Sequence, residues 1–158
     1  MSKQSDLTGA RLEAAAAAAS FGAAAGAVDE AAAAAFGVNR TDLRLIGILH
    51  ARGALTAGDL ALACNLSPAA TSTAIQRLVL AGYVSRETDS EDRRRAAVSA
   101  TTAATGLLEE FYGPVGAAGM AQLAEYDSEQ LALLTDFLRR GEELQRIQAE
   151  RIRGFERE

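Results

Sequence analysis

Tryptophan is absent from the 158 residues, and only five phenylalanines and three tyrosines supply aromatic surface. Large stacking platforms for single-stranded bases are therefore not on offer. Cys64 is the only cysteine, which excludes an internal disulfide and a thiolate cluster for zinc and fits a reducing compartment. His50 is the only histidine, so a histidine-based metal site would need carboxylates and a second subunit. No apolar run reaches the roughly 18 to 20 residues of a membrane span. The opening Met1-Ser2-Lys3-Gln4-Ser5-Asp6 lacks the basic-then-apolar order of a secretion signal, so a cytoplasmic protein with no membrane partner is expected. Also missing are a glycine-rich phosphate loop, a histidine beside a nucleophile motif, and paired carboxylates distinguishable from solvated helix faces. No catalytic residue, metal or cofactor is expected, and the chain does not read as an enzyme.

The net charge of −5 is unevenly spread. Between Phe36 and Thr101 eight arginines face six acids, a balance of +2, while the remainder holds eight bases and fifteen acids, a balance of −7. A mildly basic middle flanked by acidic ends suits a nucleic-acid reader carried on acidic scaffolding.

From Asp6 to Ala35 the chain is rich in alanine, the best helix former, which predicts a helix that Gly22 and Gly26 bend or break. A second helix is expected after Thr41, which reads as its cap, with Asp42 in the first turn and Leu45, Ile46 and Leu49 as its apolar stripe, ending at Gly53. Ala54-Leu55 fits a very short strand. Thr56 caps the next helix, with Asp59 three residues on in the manner of a capping box, and Leu60, Ala61 and Ala63 as its core face. Asn65-Leu66 makes a turn, after which Ser67 caps a helix whose first position is Pro68. In that helix Ala74, Ile75, Leu78 and Val79 are expected to face inward, and Gly82 ends it. Tyr83 to Ser85 and Ala96 to Ala100 form a hairpin whose polar tip carries Asp92, Arg93, Arg94 and Arg95. Thr101 or Thr102 caps a long helix interrupted near Gly113-Pro114, and Asp127 or Ser128 caps the last one. The whole predicts a mainly α fold: a winged helix-turn-helix of three helices with a small β-hairpin wing, flanked by further helices at both ends.

An α-helix enters the major groove of B-DNA only if its outward side chains are short enough for the backbone to come close. Ala69, Ala70, Thr71, Ser72 and Thr73 meet that condition. Their hydroxyls can bond phosphates or base edges, and their methyls can touch the thymine methyl. Ser67 sits where free N–H groups can receive a phosphate. Gln76 can pair with adenine, and Arg77 can hold a phosphate or a guanine. Three successive arginines at a hairpin tip repel one another unless an anion is near, and such a tip can insert an arginine into the narrow, negative minor groove. Asp92, two residues before Arg94, can hold that guanidinium in a fixed orientation. Double-stranded DNA is the expected partner.

These residues carry a resemblance. Leu60-Ala61, Leu66-Ser67-Pro68, Ala81-Gly82-Tyr83-Val84 and above all Asp92-Arg93-Arg94-Arg95-Ala96-Ala97-Val98-Ser99-Ala100-Thr101 are similar to the MarR family of bacterial transcriptional regulators. The likeness runs from about Val38 to Leu108 by motif and over the rest by helix order. It implies a triangular homodimer in which the first and last helices of both chains interlock. Residues 1–36 would then be an N-terminal dimerisation helix, 37–101 the DNA-binding domain and 102–158 the C-terminal dimerisation helices. The resemblance also implies that the helix from Pro68 enters the major groove and Arg94 the minor groove. Family members are commonly repressors on pseudo-palindromic operators, released by small aromatic ligands or by cysteine oxidation; Phe21, His50 and Phe111 are the pocket candidates this suggests. With no basic residue within four positions, Cys64 reads as a small, partly buried apolar residue. The competing expectation is a helical dimerisation or adaptor protein that keeps the winged fold without DNA binding, left open by the acidic ends and the uncharged helix face.

Overall fold

The computed structural model describes residues 2–87 and 96–155, with side chains from Asp6 onward. Along the chain it runs α1 (Ser2–Phe36), α2 (Arg40–Arg52), β1 (Leu55–Thr56), α3 (Ala57–Cys64), α4 (Pro68–Leu80), β2 (Val84–Glu87), β3 (Ala97–Ala100), α5 (Thr102–Leu123) and α6 (Ser128–Phe155). Two compact units divide it, residues 1–111 and 112–158, with the boundary inside α5.

The first unit is built on a core in which Leu45, Ile46, Leu60, Ile75 and Val98 have no exposed surface. Each comes from a different local rule. Leu45, Ile46 and Leu49 form the stripe of α2, Leu60, Ala61 and Cys64 that of α3, and Ala74, Ile75 and Leu78 that of α4. Val79, expected in that stripe, lies 40% exposed, because it is a full 100° round the helix from Leu78. The three strands form one antiparallel sheet in the order β1-β3-β2, with Leu55 opposite Val98 and Val84 opposite Ala100. This small sheet closes the core and gives the mainly helical unit its winged helix-turn-helix form.

The helix ends follow the residues at hand. Thr56 accepts from the Asp59 N–H at 3.1 Å and donates to its carboxylate at 2.7 Å, and Ser67 accepts from the Ala70 N–H at 3.2 Å with Pro68 in the first turn. Asn65, in the left-handed region at φ 54°, turns the chain between α3 and α4. Gly82, at φ 77°, lets Tyr83 N–H bond back to Leu78 O at 2.9 Å, which stops α4 and feeds β2. Asp127 caps α6 by accepting from the Glu129 and Gln130 N–H groups, while the Gln130 side chain accepts from the Asp127 N–H.

Three expectations need correction. The cap of α2 is Asn39, whose Oδ1 accepts from the Asp42 N–H at 2.9 Å, and Thr41 lies inside the helix. The helix α1 continues unbroken through Gly22 and Gly26, since the surrounding alanines outweigh a glycine cost of about 1 kcal/mol each. The helix α5 passes through Gly113 and Pro114 without interruption. Proline already has a helical φ, so the loss is confined to one bond to the Glu110 carbonyl and local crowding there.

Thr101 welds the wing to α5. Its hydroxyl donates to Gly82 O at 2.8 Å and accepts from the Ala104 N–H at 3.3 Å, and its own N–H bonds Tyr83 O at 3.0 Å. Thr101→Ala should therefore lower the unfolding free energy by about 1 to 2 kcal/mol, as measured by urea denaturation, whereas Thr102→Ala should change it by less than about 0.5 kcal/mol.

Candidate nucleic-acid interface

The outward face of α4 is assembled by the same spacing that buries its inner one. Thr71, Ala74, Ile75 and Leu78 recur at three- and four-residue steps and are buried, which leaves Ala69, Ala70, Ser72, Thr73 and Gln76 exposed. Thr71 therefore does not belong to the reading surface. It is fully buried, and its hydroxyl donates to Ser67 O at 3.0 Å, so it completes the core stripe and secures the first turn instead.

The remaining polar groups differ in what they have left to offer. The Thr73 hydroxyl donates to Ala69 O at 3.0 Å, which turns its proton inward and leaves its lone pairs for an incoming donor. Ser67 uses a lone pair on its cap bond and keeps its O–H proton. The surface is thus short, smooth and nearly uncharged, as close approach to a groove floor demands.

Arg77 is the exception, and it is not loose. Its Nη2 donates to Asp42 Oδ1 at 2.7 Å and its Nε to Asp42 Oδ2 at 3.0 Å, a bidentate fork across α2 and α4. Asn39 Nδ2 donates to the same Oδ2 at 3.0 Å. The Asp42 side chain is 4% exposed and that of Arg77 49%. The bonded carboxylate, with its charge behind it, raises the Arg77 pKa further, so the guanidinium stays charged. Sequence reasoning missed Asp42 as a partner; the available signal was an acid set directly against the apolar run of α2.

β2 and β3 pair down to Glu87 opposite Ala97. Asp92, Arg93, Arg94 and Arg95 lie outside the described residues. Of the pocket candidates, Phe111 packs edge-on against Phe36 at 5.6 Å between ring centroids, and Phe36 does the same with Tyr83 at 5.1 Å. Tyr83 Oη also donates to Phe36 O at 2.9 Å. Phe21 is 71% exposed and stands fifteen residues before Phe36 on a continuous helix, about 22 Å along the axis. His50 is exposed near the end of α2. Phe111 belongs to a cluster with Phe36 and Tyr83, and Phe21 stands away from that cluster along α1. Among the described residues no group of three or more His, Cys, Asp or Glu is placed to hold a metal ion, and no single helix is long and apolar enough to cross a membrane.

Residues 36–95 match the MarR family profile. Over 124 residues the chain is 34% identical to YcgE, an HTH-type transcriptional regulator of Bacillus subtilis, covering 78% of this chain and 80% of that one. The chain belongs to the MarR family. It is a DNA-binding transcriptional regulator, and the helix-turn-helix formed by α3 and α4 is the part of the MarR fold just described. Solved MarR structures share the architecture: a MarR family protein from Bacillus stearothermophilus aligns with a TM-score of 0.65 at 17% identity, over 89% of this chain and 96% of that one. NadR in complex with 4-hydroxyphenylacetate aligns with a TM-score of 0.58 at 25% identity, over 77% and 88%.

Cys64 is buried, and burial pushes its thiol pKa up, against a smaller downward pull from Arg44 and Arg52. At neutral pH it should stay a protonated thiol. Iodoacetamide labelling at pH 7.5 is expected to be at least tenfold slower in the native protein than in urea; equal rates would show an accessible thiolate.

Proposed function

We propose that this MarR-family chain is a ligand-responsive repressor acting as a homodimer on a pseudo-palindromic operator. The observation that carries the reading is the exposed face of α4, where Ala69, Ala70, Ser72, Thr73 and Gln76 form an uncharged strip in which only Gln76 is long. Such a strip lies in the major groove, with Gln76 and Ser72 at base edges and Ser67 on a phosphate. Arg94, oriented by Asp92 and flanked by Arg93 and Arg95, takes the adjacent minor groove.

Dimerisation is supported by what the long helices leave uncovered. No residue of α6 is buried, yet Leu133, Phe137, Leu144, Ile147 and Phe155 recur on it at helical steps, each at least 46% exposed. On α1, Leu7, Leu12 and Phe21 are also exposed. A helix with an apolar stripe and no buried residue is built to meet another surface. The second copy is the partner that would set two reading helices about one DNA turn, 34 to 36 Å, apart. A small aromatic effector is supported by the Phe36, Tyr83 and Phe111 cluster and by the binding of 4-hydroxyphenylacetate to NadR.

The test is a titration of the purified protein against the intergenic DNA upstream of its own gene. Binding is expected to weaken steeply between about 50 and 200 mM salt as counterions are released, and Arg94→Ala should cost about 1 to 3 kcal/mol. No affinity at low salt would leave the adaptor reading standing. Separately, Phe137→Asp should shift the sedimentation coefficient from that of a dimer to that of a monomer and abolish operator binding; an unchanged dimer would remove α6 from the interface.

A further inference from the structure

Arg77 lies on the reading helix but not on its reading stripe. At 100° per residue, Ala69, Ser72 and Gln76 fall within about 60° of one another, whereas Arg77 stands about 80° to 140° from them, on the side toward α2, with Ala70 beside it at the edge of the strip. That flank opens into a shallow cleft of about 620 Å³ lined by Asn39, Arg40, Thr41, Thr73 and Arg77 together with the apolar Leu66, Ala70 and Ala74. Two exposed threonines and two arginines line it, and the carboxylate behind Arg77, Asp42, is buried and already engaged by Asn39 and Arg77.

The fork fixes which donors of Arg77 remain. Nε and one Nη2 proton are spent on Asp42; among the described residues Nη1 has no partner, and half of the side chain is exposed. A guanidinium held in a plane by a buried carboxylate cannot swing a further 90° to reach a base edge without breaking two charge-assisted bonds. It can, however, offer its outer edge to an anion beside the groove at little entropic cost, because its rotamer is already chosen. The chemistry that fits a fixed, half-exposed guanidinium edge flanking a groove-reading helix is a backbone phosphodiester.

We infer that the Asp42–Arg77 fork makes Arg77 a pre-aimed contact for a DNA phosphate at the edge of the major groove, with Asp42 as the positioning residue, and that Arg77 does not read a base. This rests on the groove-reading role of α4 proposed above. Asp42 touches no DNA and acts only by choosing the arginine's orientation. Affinity gained in this way is the same for every sequence, so it raises operator and non-operator binding together.

The experiment uses the full-length Asp42→Leu/Arg77→Met double variant, since replacing both partners by apolar side chains of similar size leaves no charge stranded, whereas removing Arg77 alone would strand the buried Asp42 carboxylate. Thermal unfolding should give a melting temperature at or above that of the wild type. Two duplexes serve as probes, a random-sequence 30-base-pair DNA and the tightest binder selected by the wild-type protein from a random library. Fluorescence anisotropy should show both affinities falling by the same factor, roughly tenfold or more, with the specificity ratio unchanged. A loss confined to the selected duplex, with a relaxed preference at one base pair, would make Arg77 a base reader and overturn the inference. Wild-type affinity for both duplexes in the folded double variant would reduce the fork to a purely structural tie and overturn it equally. Failure of the wild type to bind either duplex would instead bring down the DNA-reading proposal itself, and this inference with it.

Discussion

The aim of the Arg77 guanidinium is the constraint on which the proposed interface depends, and the buried Asp42 carboxylate sets it. The apolar stripe of Thr71, Ala74, Ile75 and Leu78 fixes which face of α4 turns outward, but hydrophobic contact is non-directional and does not aim a long side chain at the surface. Two hydrogen bonds in one plane, anchored on a carboxylate that Asn39 also grips, do. Asn39 serves twice, since it caps α2 with its oxygen and steadies Asp42 with its nitrogen. The start of α2 and the aim of Arg77 are therefore one decision of the sequence.

A second consequence concerns charge. The strip proposed to read DNA carries none of its own, and the one cation on α4 is paired with a carboxylate. Long-range attraction to DNA must then come from elsewhere in the basic middle of the chain, while the strip contributes shape and short-range bonds. The exposed ion pairs of α6, Arg146 with Glu143 and Glu150 and Arg140 with Asp136, have no such directing role; they are solvated pairs of the ordinary helical spacing.

Most of the winged lobe was legible because its boundaries rest on local chemistry. Thr56, Ser67-Pro68 and Gly82 each do in the structure what such residues do within their own turn. What stayed hidden depends on distance along the chain or on competition between two local rules. Asp42 and Arg77 are 35 residues apart, and nothing in either neighbourhood names the other. Thr71 looked like one of a run of outward hydroxyls, but its position three before Ala74 and four before Ile75 puts it in the core, where its donor is satisfied by Ser67 O. Thr41 and Asn39 are both competent caps, and the side-chain amide won because it serves Asp42 as well. The mid-helix Gly113-Pro114 pair has the composition of a break, yet proline's φ is itself helical and α5 runs through it. The candidate site is legible in part: α4 supplies its exposed residues as expected, whereas the arginines at the wing tip lie outside the described residues.

Mechanically, α1 is a lever. Its 35 residues span about 50 Å, and its last residue is pinned by the Phe36 ring between Phe111 and Tyr83 and by the hydrogen bond from Tyr83 Oη to the Phe36 carbonyl. A tilt of about 5° at that pivot sweeps the far end through roughly 4 Å, close to the spacing between neighbouring side-chain rows on a helix. Whatever seats the first turns of α1 therefore sets the angle of its pivot to within a few degrees, and Tyr83, one residue before the wing strand, is where that angle meets the DNA-reading lobe.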